Sequence, residues 1–162
     1  MSKIINKSDT TVMIHSDDYT EEAEANENIT LINMKDLAGI ISDHKTDKCK
    51  DLSVYDTITV DNEAMCALFY TSGTTSEPKG VMLSHKNIVC DTIATSKSVR
   101  VADPSLLTLP LHHTYGFVAS VTIPMLIGSS IFINSSTRYL IRDINHIKPE
   151  YIAVVPLIAE VM

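Results

Sequence analysis

The stretch Leu68–His85 reads LFYTSGTTSEPKGVMLSH and changes character twice. An apolar run stops at a cluster of serine, threonine and glycine residues, a single lysine follows, and the chain then becomes apolar again. The runs AMCALFYT and GVMLS on either side predict two strands, the first of them buried. Converging N–H and O–H donors beside one cation suit a polyphosphate. The stretch therefore predicts an anion-binding loop between two strands.

The glycines and the lysine define this loop more closely. Gly73 and Gly80 can adopt positive φ angles that let backbone N–H groups approach a ligand, and Lys79 adds a mobile positive charge. The spacing of the Walker loop is absent, because Lys79 precedes its glycine. Hydroxyl groups also suit Mg²⁺, which takes oxygen ligands, and we expect Thr71 and Thr74 to supply them. A serine- and threonine-rich hairpin without a ligand is the alternative.

From Ala64 onward, short apolar runs alternate with amphipathic segments. Ser84 is the predicted N-cap of a helix that runs to about Val99. Strands are predicted at SLLTLPL, SIFIN and YIAVVP, and a helix at RYLIRDINHIK. GFVASVTIPMLIG is an apolar segment that Pro124 should kink or end. This order predicts an α/β fold with a mainly parallel sheet and flanking helices.

Residues 1–63 are predicted to form an acidic N-terminal segment, separate from residues 64–162. TVMIH and NITLIN predict short strands, MKDLAGIIS predicts a helix, and the acidic run from Asp17 to Asn28 predicts a solvated loop. Some histidines have no partner at ligand spacing, and we expect them at the surface or in helices. These are His15, His44, His85 and His146.

Composition excludes several classes of protein. Hydrophobic residues make up 44% of the chain, which is enough for a buried core. The formal net charge of −7 argues against nonspecific binding of nucleic acid. No apolar run reaches about 18 residues and no signal peptide is present, so we expect no membrane span and a cytoplasmic location. Cys49, Cys66 and Cys90 form no CxxC pair and are predicted to be reduced thiols, two of them in apolar surroundings.

The ordered string YTSGTTSEPKGVMLSH, from Tyr70 to His85, closely resembles the phosphate-binding signature of the adenylate-forming superfamily. This superfamily contains acyl-CoA synthetases, nonribosomal-peptide adenylation domains and luciferases. A second string, LPLHHTYGF from Leu109 to Phe117, resembles the motif of proline, histidine and glycine beside the superfamily's acyl pocket. Residues 64–162 therefore resemble part of the large N-terminal domain of an adenylate-forming (AMP-binding) enzyme, similar to acyl-CoA synthetases.

The resemblance implies that a carboxylic acid, either an acyl chain or an amino acid, is activated with ATP and Mg²⁺ and then passed to a thiol, usually that of coenzyme A. It implies that the residues contacting the ATP phosphates are Thr71, Ser72, Gly73, Thr74, Thr75 and Lys79. It further implies that His113, Tyr115 and Gly116 line the acyl pocket. His112 lies one place off the motif and is either functional or an ordinary packed histidine.

The chain departs from the superfamily pattern in two ways. Ser76 stands where a third glycine is usual, and a positive φ at this position would cost a serine about 1 kcal/mol. The later motifs, which hold adenine and ribose and supply the catalytic lysine of a C-terminal lobe, have no counterpart in the printed sequence. The apolar segment after Pro156 also lacks a stop signal. We therefore expect a fragment that does not complete adenylation without the missing lobe.

The leading functional hypothesis is the central part of the N-terminal lobe of an ATP-dependent acid–thiol ligase that acts in fatty acid metabolism. One alternative is an adenylation domain that loads a carrier protein. Another is a truncated paralogue that binds nucleotide or a partner without catalysis. Acyl chain length, the thiol acceptor and the oligomeric state are left open by the sequence.

Overall fold

The computed structural model describes residues 2–26, 28–43, 53–72, 78–134 and 136–160 of the chain. The chain folds as two compact units, Met1–Val60 and Asp61–Met162. Both units combine strands with helices, and every described strand pair except one is parallel. The prediction of an α/β fold with a mainly parallel sheet is therefore confirmed.

The first unit is built around two short parallel strands. β1 (Val12–His15) pairs in register with β2 (Thr30–Asn33), at the positions predicted from TVMIH and NITLIN. The described helices of this unit are α1 (Ser2–Lys7), α2 (Thr20–Glu24), α3 (Leu37–Asp43) and α4 (Ser53–Asp56).

Two predictions for this unit are wrong. The acidic run after β1 is helical rather than a loop, because a 3₁₀ turn at Asp17–Tyr19 leads into α2, which packs against both strands and buries Ala23 completely. Its described acidic side chains are exposed to solvent, as predicted. His15, expected at the surface or in a helix, is buried in β1, where its Nδ1 lies 3.0 Å from the carbonyl oxygen of Ser16. His44 and Cys49 lie outside the described residues.

The second unit contains a parallel sheet of three described strands in the order β6–β5–β7. β5 (Ser105–Leu107) lies between β6 (Ile131–Ile133) and β7 (Tyr151–Ile152). Leu106 in the central strand is only 1% exposed, as expected for a parallel strand covered on both faces.

A separate antiparallel hairpin precedes this sheet. β3 (Met65–Ser72) and β4 (Pro78–Ser84) are joined by residues 73–77, too short a connection for the crossover that a parallel pair needs. The prediction that the first of these strands is buried is wrong, since Met65 is 57% exposed, Cys66 is exposed as well, and residues 67–70 are only half-buried. The described part of the chain places no third strand beside the hairpin, so both of its edges lack a sheet neighbour there.

The cysteine prediction also fails in this region. Cys66 in β3 and Cys90 in the following helix are free thiols, as expected, but both are exposed rather than in apolar surroundings. Their apolar neighbours in sequence are exposed as well, Met65 at 57% and Val89 at 53%, so these apolar runs are not covered by other described elements.

Helix α5 (His85–Ser96) follows β4 directly and begins at the predicted cap. The Oγ of Ser84 accepts a hydrogen bond from the Asn87 N–H (3.2 Å), and the Oδ1 of Asn87 accepts one from the Ser84 N–H (3.0 Å). This reciprocal capping box satisfies two backbone donors at the start of the helix. The residues on one side of α5, Ile88, Val89, Thr92 and Ile93, line a shallow apolar groove beside the helical segment that follows β5.

That segment consists of α6 (Thr114–Phe117), a π-helical stretch (Val118–Thr122) and α7 (Ile123–Ile127) in unbroken succession. The segment does not end at Pro124, one of the two outcomes predicted there. The helix continues through this residue and stops at Gly128, whose φ is 73°. A proline ring collides with the carbonyl group four residues earlier in a regular α-helix, and the wider π winding around that carbonyl accommodates it.

The remaining helices agree with the predicted order. α8 (Leu140–Ile147) connects β6 to β7 after a 3₁₀ turn (Thr137–Tyr139), and α9 (Pro156–Ala159) follows β7. The buried apolar cluster of this unit contains Leu109, Ala119 and Ala153, with Tyr151 and Ile158 packed against it. Among the described residues, no helix has the length and apolar character needed to cross a bilayer.

The capping box makes the stability of α5 depend on Ser84. We expect Ser84→Ala to lower the free energy of unfolding by about 1 kcal/mol, because it removes one partner of the cap. Urea unfolding monitored by circular dichroism measures this change. Ser98→Ala is the matched control, since that hydroxyl makes only a 3.4 Å contact after the helix end. An equal loss in both variants would contradict the assigned cap.

Candidate active site

Thr71 and Lys79 lie directly opposite each other at the loop end of the hairpin. Residues opposite each other on paired strands share one face, with Cβ atoms about 5 Å apart. Both side chains are exposed, and the Lys79 ammonium group makes no hydrogen bond or ion pair with any other described residue. One face of the hairpin therefore presents a hydroxyl and an ammonium group at the base of the loop.

The other predicted phosphate ligands lie at or beyond the end of β3. Ser72 is the last residue of β3 and pairs with Pro78. The remaining predicted ligands and the serine that replaces the third glycine lie outside the described residues; these are Gly73, Thr74, Thr75 and Ser76.

Gly80 lies opposite Tyr70, and its role differs from the predicted one. Its φ is not in the positive region. A Cβ atom at Gly80 would instead lie 3.1 Å from Cδ1 of Leu68 and 3.5 Å from the Tyr70 ring. Glycine at this position leaves room for the two large side chains of the opposite strand.

A cavity of about 620 Å³ lies at the carboxyl ends of β5 and β7. Its lining is largely apolar and includes Leu109 and Ile158. All three residues predicted for the acyl pocket, His113, Tyr115 and Gly116, also line it. The volume falls within the range of about 300–1,000 Å³ that is usual for small-molecule pockets. The carboxyl edge of a parallel sheet is also where α/β proteins bind their ligands.

Gly116 fixes the wall of this cavity by close packing. A Cβ atom here would lie 2.4 Å from the carbonyl oxygen of Pro110 and 3.1 Å from the Cβ of Leu109. The same carbonyl accepts a hydrogen bond from the His113 N–H at 3.3 Å. Helix α6 therefore lies directly against the preceding turn, and only glycine fits at the contact.

The two histidines of the second motif stand at the start of α6. His113 is the N-cap residue, and its carbonyl accepts a hydrogen bond from the Phe117 N–H at 3.0 Å. The rings of His112 and His113 lie 4.2 Å apart between centroids, and both side chains are exposed. His112 is therefore not a packed core histidine, one of the two interpretations left open by the sequence.

An aromatic contact joins the hairpin to the cavity wall. The rings of Phe69 and Phe117 lie 5.7 Å apart with an angle of 56° between their planes. Phe69 lies two residues before Thr71 in β3 and therefore on the same face. Phe117 directly follows Gly116. The structure thus brings the face with Thr71 next to the helix that carries the cavity wall. The two motifs did not predict this contact; alternation along β3 indicates only that Phe69 and Thr71 share a face.

Three threonines that were not predicted also line the cavity; one of them, Thr114, lies within the second motif, and the other two follow strands of the sheet. Thr108 follows β5, and its hydroxyl donates to the carbonyl oxygen of Ala153 at 2.9 Å. Thr137 lies in the turn after β6. The available signal was their position just after predicted strands of a parallel sheet.

A buried carboxylate holds the turn that contains Thr137. Asp143 accepts hydrogen bonds from Nδ2 of Asn134 at 2.9 Å and from Nη2 of Arg142 at 2.7 Å. The Arg142 guanidinium also lies 4.4 Å from the centroid of the Tyr139 ring. These contacts involve Asn134 before the turn and Tyr139 at its end, so they hold the part of the cavity wall that contains Thr137.

Tyr151 in β7 connects the sheet to the π-helical stretch. Its hydroxyl donates to the carbonyl oxygen of Ala119 at 3.0 Å. Burial raises the pKa of Tyr151, and the nearby Tyr115 raises it further. The phenol therefore stays neutral and keeps its donor in place over the ordinary pH range.

Of the two threonines expected to bind Mg²⁺, the structure describes Thr71 but not Thr74. The described residues contain no group of three histidine, cysteine, aspartate or glutamate side chains that could hold a metal. Mg²⁺ accepts hydroxyl, phosphate and water oxygens as ligands. The exposed hydroxyl of Thr71 beside the Lys79 ammonium fits a Mg²⁺–polyphosphate complex.

The family model described as "AMP-binding enzyme" matches residues 1–162. The chain therefore belongs to the AMP-binding enzymes, the adenylate-forming superfamily. The match includes the first sixty residues, in which no motif of the superfamily was recognised.

Curated relatives of this chain are ligases. It is 36% identical over 105 residues to a chloroplastic long-chain-fatty-acid–[acyl-carrier-protein] ligase (AEE15) of Arabidopsis thaliana, covering 64% of this chain and 14% of the relative. It is 31% identical over 104 residues to a long-chain-fatty-acid–CoA ligase (ACSBG2) of Gallus gallus, covering 59% and 14%. It is 39% identical over 74 residues to a medium-chain fatty-acid–CoA ligase of Escherichia coli, covering 44% and 13%. The chain thus spans about 14% of the length of the first two relatives.

Solved structures share the fold at lower identity. The o-succinylbenzoate coenzyme A synthetase (MenE) of Bacillus subtilis, in complex with ATP and magnesium ion, matches with a TM-score of 0.73 and 20% identity, over 98% of this chain and 32% of that one. The inhibitor-bound N-terminal domain of FACL13 from Mycobacterium tuberculosis matches with a TM-score of 0.74 and 22% identity, over 99% and 42%. The architecture is therefore that of the N-terminal domain of adenylate-forming enzymes.

The packing of Gly116 predicts a severe effect of a single methyl group. We expect Gly116→Ala to destabilise the protein by about 1–3 kcal/mol, because the new Cβ collides with backbone that cannot rotate away. Gly39→Ala is the matched control, since nothing lies within 4 Å of a Cβ at that helical position. Thermal unfolding compares the two, and an unchanged melting temperature for Gly116→Ala would refute the close approach.

The raised pKa of Tyr151 predicts a loss of stability in alkali. As the pH rises, the Tyr151 phenol loses its proton in the unfolded chain before it does so in the folded protein. Its contribution to the free energy of unfolding is therefore complete below the unfolded pKa of about 10 and is lost as the pH rises through the folded pKa. We expect the stability difference between wild type and Tyr151→Phe to narrow from about pH 8 to about pH 12. Urea unfolding at each pH tests this, with Tyr139→Phe as the control that should follow the wild-type curve.

Proposed function

We propose that this chain supplies the phosphate-binding hairpin and one wall of the acyl pocket in an AMP-forming ligase that joins a fatty acid to a thiol. The single observation that carries the proposal is the Phe69–Phe117 contact, because it sets the face bearing Thr71 and Lys79 against the helix that lines the apolar cavity. Adenylation needs these two features side by side, since the carboxylate must reach the α-phosphorus of ATP.

On the phosphate side, the chain binds and orients the leaving group. Lys79 makes no ion pair with any other described residue, so its charge is available to the β- and γ-phosphates. Negative charge grows on pyrophosphate as the bond to the α-phosphorus breaks, and a fixed cation beside a hydroxyl donor stabilises it. Magnesium bound to the phosphates would add charge neutralisation there. The same proposal assigns phosphate contacts to Ser72, Gly73, Thr74 and Thr75.

On the acyl side, the chain offers an apolar surface to an alkyl group. Leu109 and Ile158 line the cavity, and His113 stands at its edge at the start of α6. Burying each methylene group of an alkyl chain contributes about 0.8 kcal/mol. The names of the curated relatives, which specify long- and medium-chain fatty acids, support a fatty acid as the carboxylate.

The thiol acceptor has two candidates. Coenzyme A is favoured by the ligases of Gallus gallus and Escherichia coli that this chain resembles. An acyl carrier protein is favoured by the Arabidopsis thaliana relative, which is named for that acceptor. Thioester formation measured with each acceptor in turn distinguishes them. The cytoplasmic location stays a prediction.

We further propose that residues 1–162 do not complete adenylation by themselves. The chain spans about 14% of the first curated relatives, and motifs for adenine, ribose and the catalytic lysine are not found in it. Isothermal titration calorimetry should therefore show weak binding of Mg-ATP to the 162-residue polypeptide. Tight binding that does not depend on Lys79 would contradict the proposal.

Lys79 provides the sharpest test of the phosphate site. In the full-length protein, we expect Lys79→Ala to lower the rate of carboxylate-dependent ATP–pyrophosphate exchange about 100-fold, because one stabilising group for the transition state is lost. Lys86→Ala is the matched control, since Lys86 pairs with Glu63 at 2.6 Å instead of facing the loop. Equal exchange rates for Lys79→Ala and Lys86→Ala would exclude the assigned role.

A further inference from the structure

We infer that Phe69 and Phe117 form a positioning pair that couples the end of the hairpin with Thr71 and Lys79 to the acyl pocket, so that a ligand at either site strengthens binding at the other. The inference rests on the proposed ligase function and goes beyond it, because neither ring belongs to the phosphate site or lines the cavity. Neither phenylalanine touches a reacting atom in this proposal, so both act through their neighbours.

On the hairpin side, Phe69 is linked to the loop by strand geometry. Thr71 lies two residues further along β3, about 7 Å away and on the same face. Lys79 is the cross-strand partner of Thr71. A β-strand that carries its ladder hydrogen bonds moves as a unit, so a shift of the Phe69 ring changes the position of both phosphate-binding groups.

On the pocket side, the backbone of Phe117 is held close to the cavity wall by a hydrogen bond and by the packing of its neighbour Gly116. Its N–H is bound to the carbonyl oxygen of His113 at 3.0 Å. The residue before it, Gly116, lies so close to the Pro110 carbonyl that a Cβ would come within 2.4 Å. Since no empty space lies between Gly116 and the Pro110 carbonyl, a displacement of Gly116 by a ligand is not absorbed at this contact. The displacement passes to the Phe117 ring.

The ring contact itself transmits this displacement. The centroid separation of 5.7 Å and the tilt of 56° fall in the range that aromatic pairs favour, about 4.5–7 Å with tilted planes. Both rings are partly buried, so the contact is packed rather than free in solvent. Coupling of this kind is reciprocal in binding free energy, which means that each site must report on the other.

Steady-state kinetics of ATP–pyrophosphate exchange in the full-length protein tests the inference. Phe117→Leu, on the pocket side, should raise the KM for ATP about fivefold, and Phe69→Leu, on the phosphate side, should raise the KM for the carboxylate by a similar factor. The double variant should be no worse than either single variant, because both remove the same contact. Phe69→Tyr and Phe117→Tyr, which keep the ring, should restore values close to wild type.

Phe132→Leu is the matched control, since Phe132 lies in β6 and outside both motifs. It should leave both KM values unchanged. Multiplicative effects in the double variant, or a change confined to the nearer substrate in each single variant, would overturn the coupling. Thermal unfolding identifies any leucine variant that does not fold, and methionine, which retains more volume, then replaces leucine at that position.

Amide hydrogen exchange supplies a readout that does not need catalysis. Phe117→Leu should speed exchange about fivefold at the loop end of the hairpin, around Thr71 and Lys79, while Phe132→Leu should not. If the wild type shows no pyrophosphate exchange with any carboxylate, the proposed function fails, and the hydrogen-exchange result still decides whether the two rings are coupled. Unchanged protection in Phe117→Leu would exclude the positioning pair.

Discussion

The second unit depends on the buried central strand β5, which is bound to both of its neighbours by more than the sheet ladder. The Ser105 hydroxyl donates to the carbonyl oxygen of Ser130, and the Asn134 N–H donates to the carbonyl oxygen of Leu107, so the two ends of β6 are held. On the other side, the Thr108 hydroxyl donates to the carbonyl oxygen of Ala153. The carboxyl edge that results is rigid, and the cavity is formed on that edge.

The two elements joined by the Phe69–Phe117 contact differ in how they are packed. The sheet edge and α6 are densely packed, since Gly116 has no space for a side-chain atom and the Tyr151 hydroxyl is hydrogen-bonded to the helical segment. The hairpin is more exposed and has no described sheet partner at either edge. The Phe69–Phe117 contact therefore connects an exposed element to a densely packed one.

The sequence predicted where the helices and strands lie better than it predicted which of their residues are buried. The capping residue Ser84, the strands around β5 and the class of fold were correct, because caps and apolar periodicity act over a few residues. The burial of β3 and the surroundings of Cys66 and Cys90 were wrong, because burial depends on which elements lie above a face. His15 was misjudged for the same reason. The motif grouped His113, Tyr115 and Gly116 at one pocket, and in the structure they line a common cavity. Their role in binding an acyl group stays a prediction.

The lining of the cavity differs from place to place in how much change in side-chain size it tolerates. The side formed by Gly116 and the Pro110 carbonyl tolerates no added atom, so it is closed to gradual change in size. The part of the lining on α9 includes Leu157, which is 73% exposed and contributes little to the core. Under the proposed function, selection for a longer, shorter or branched acyl group would therefore act on α9 rather than on the wall at α6.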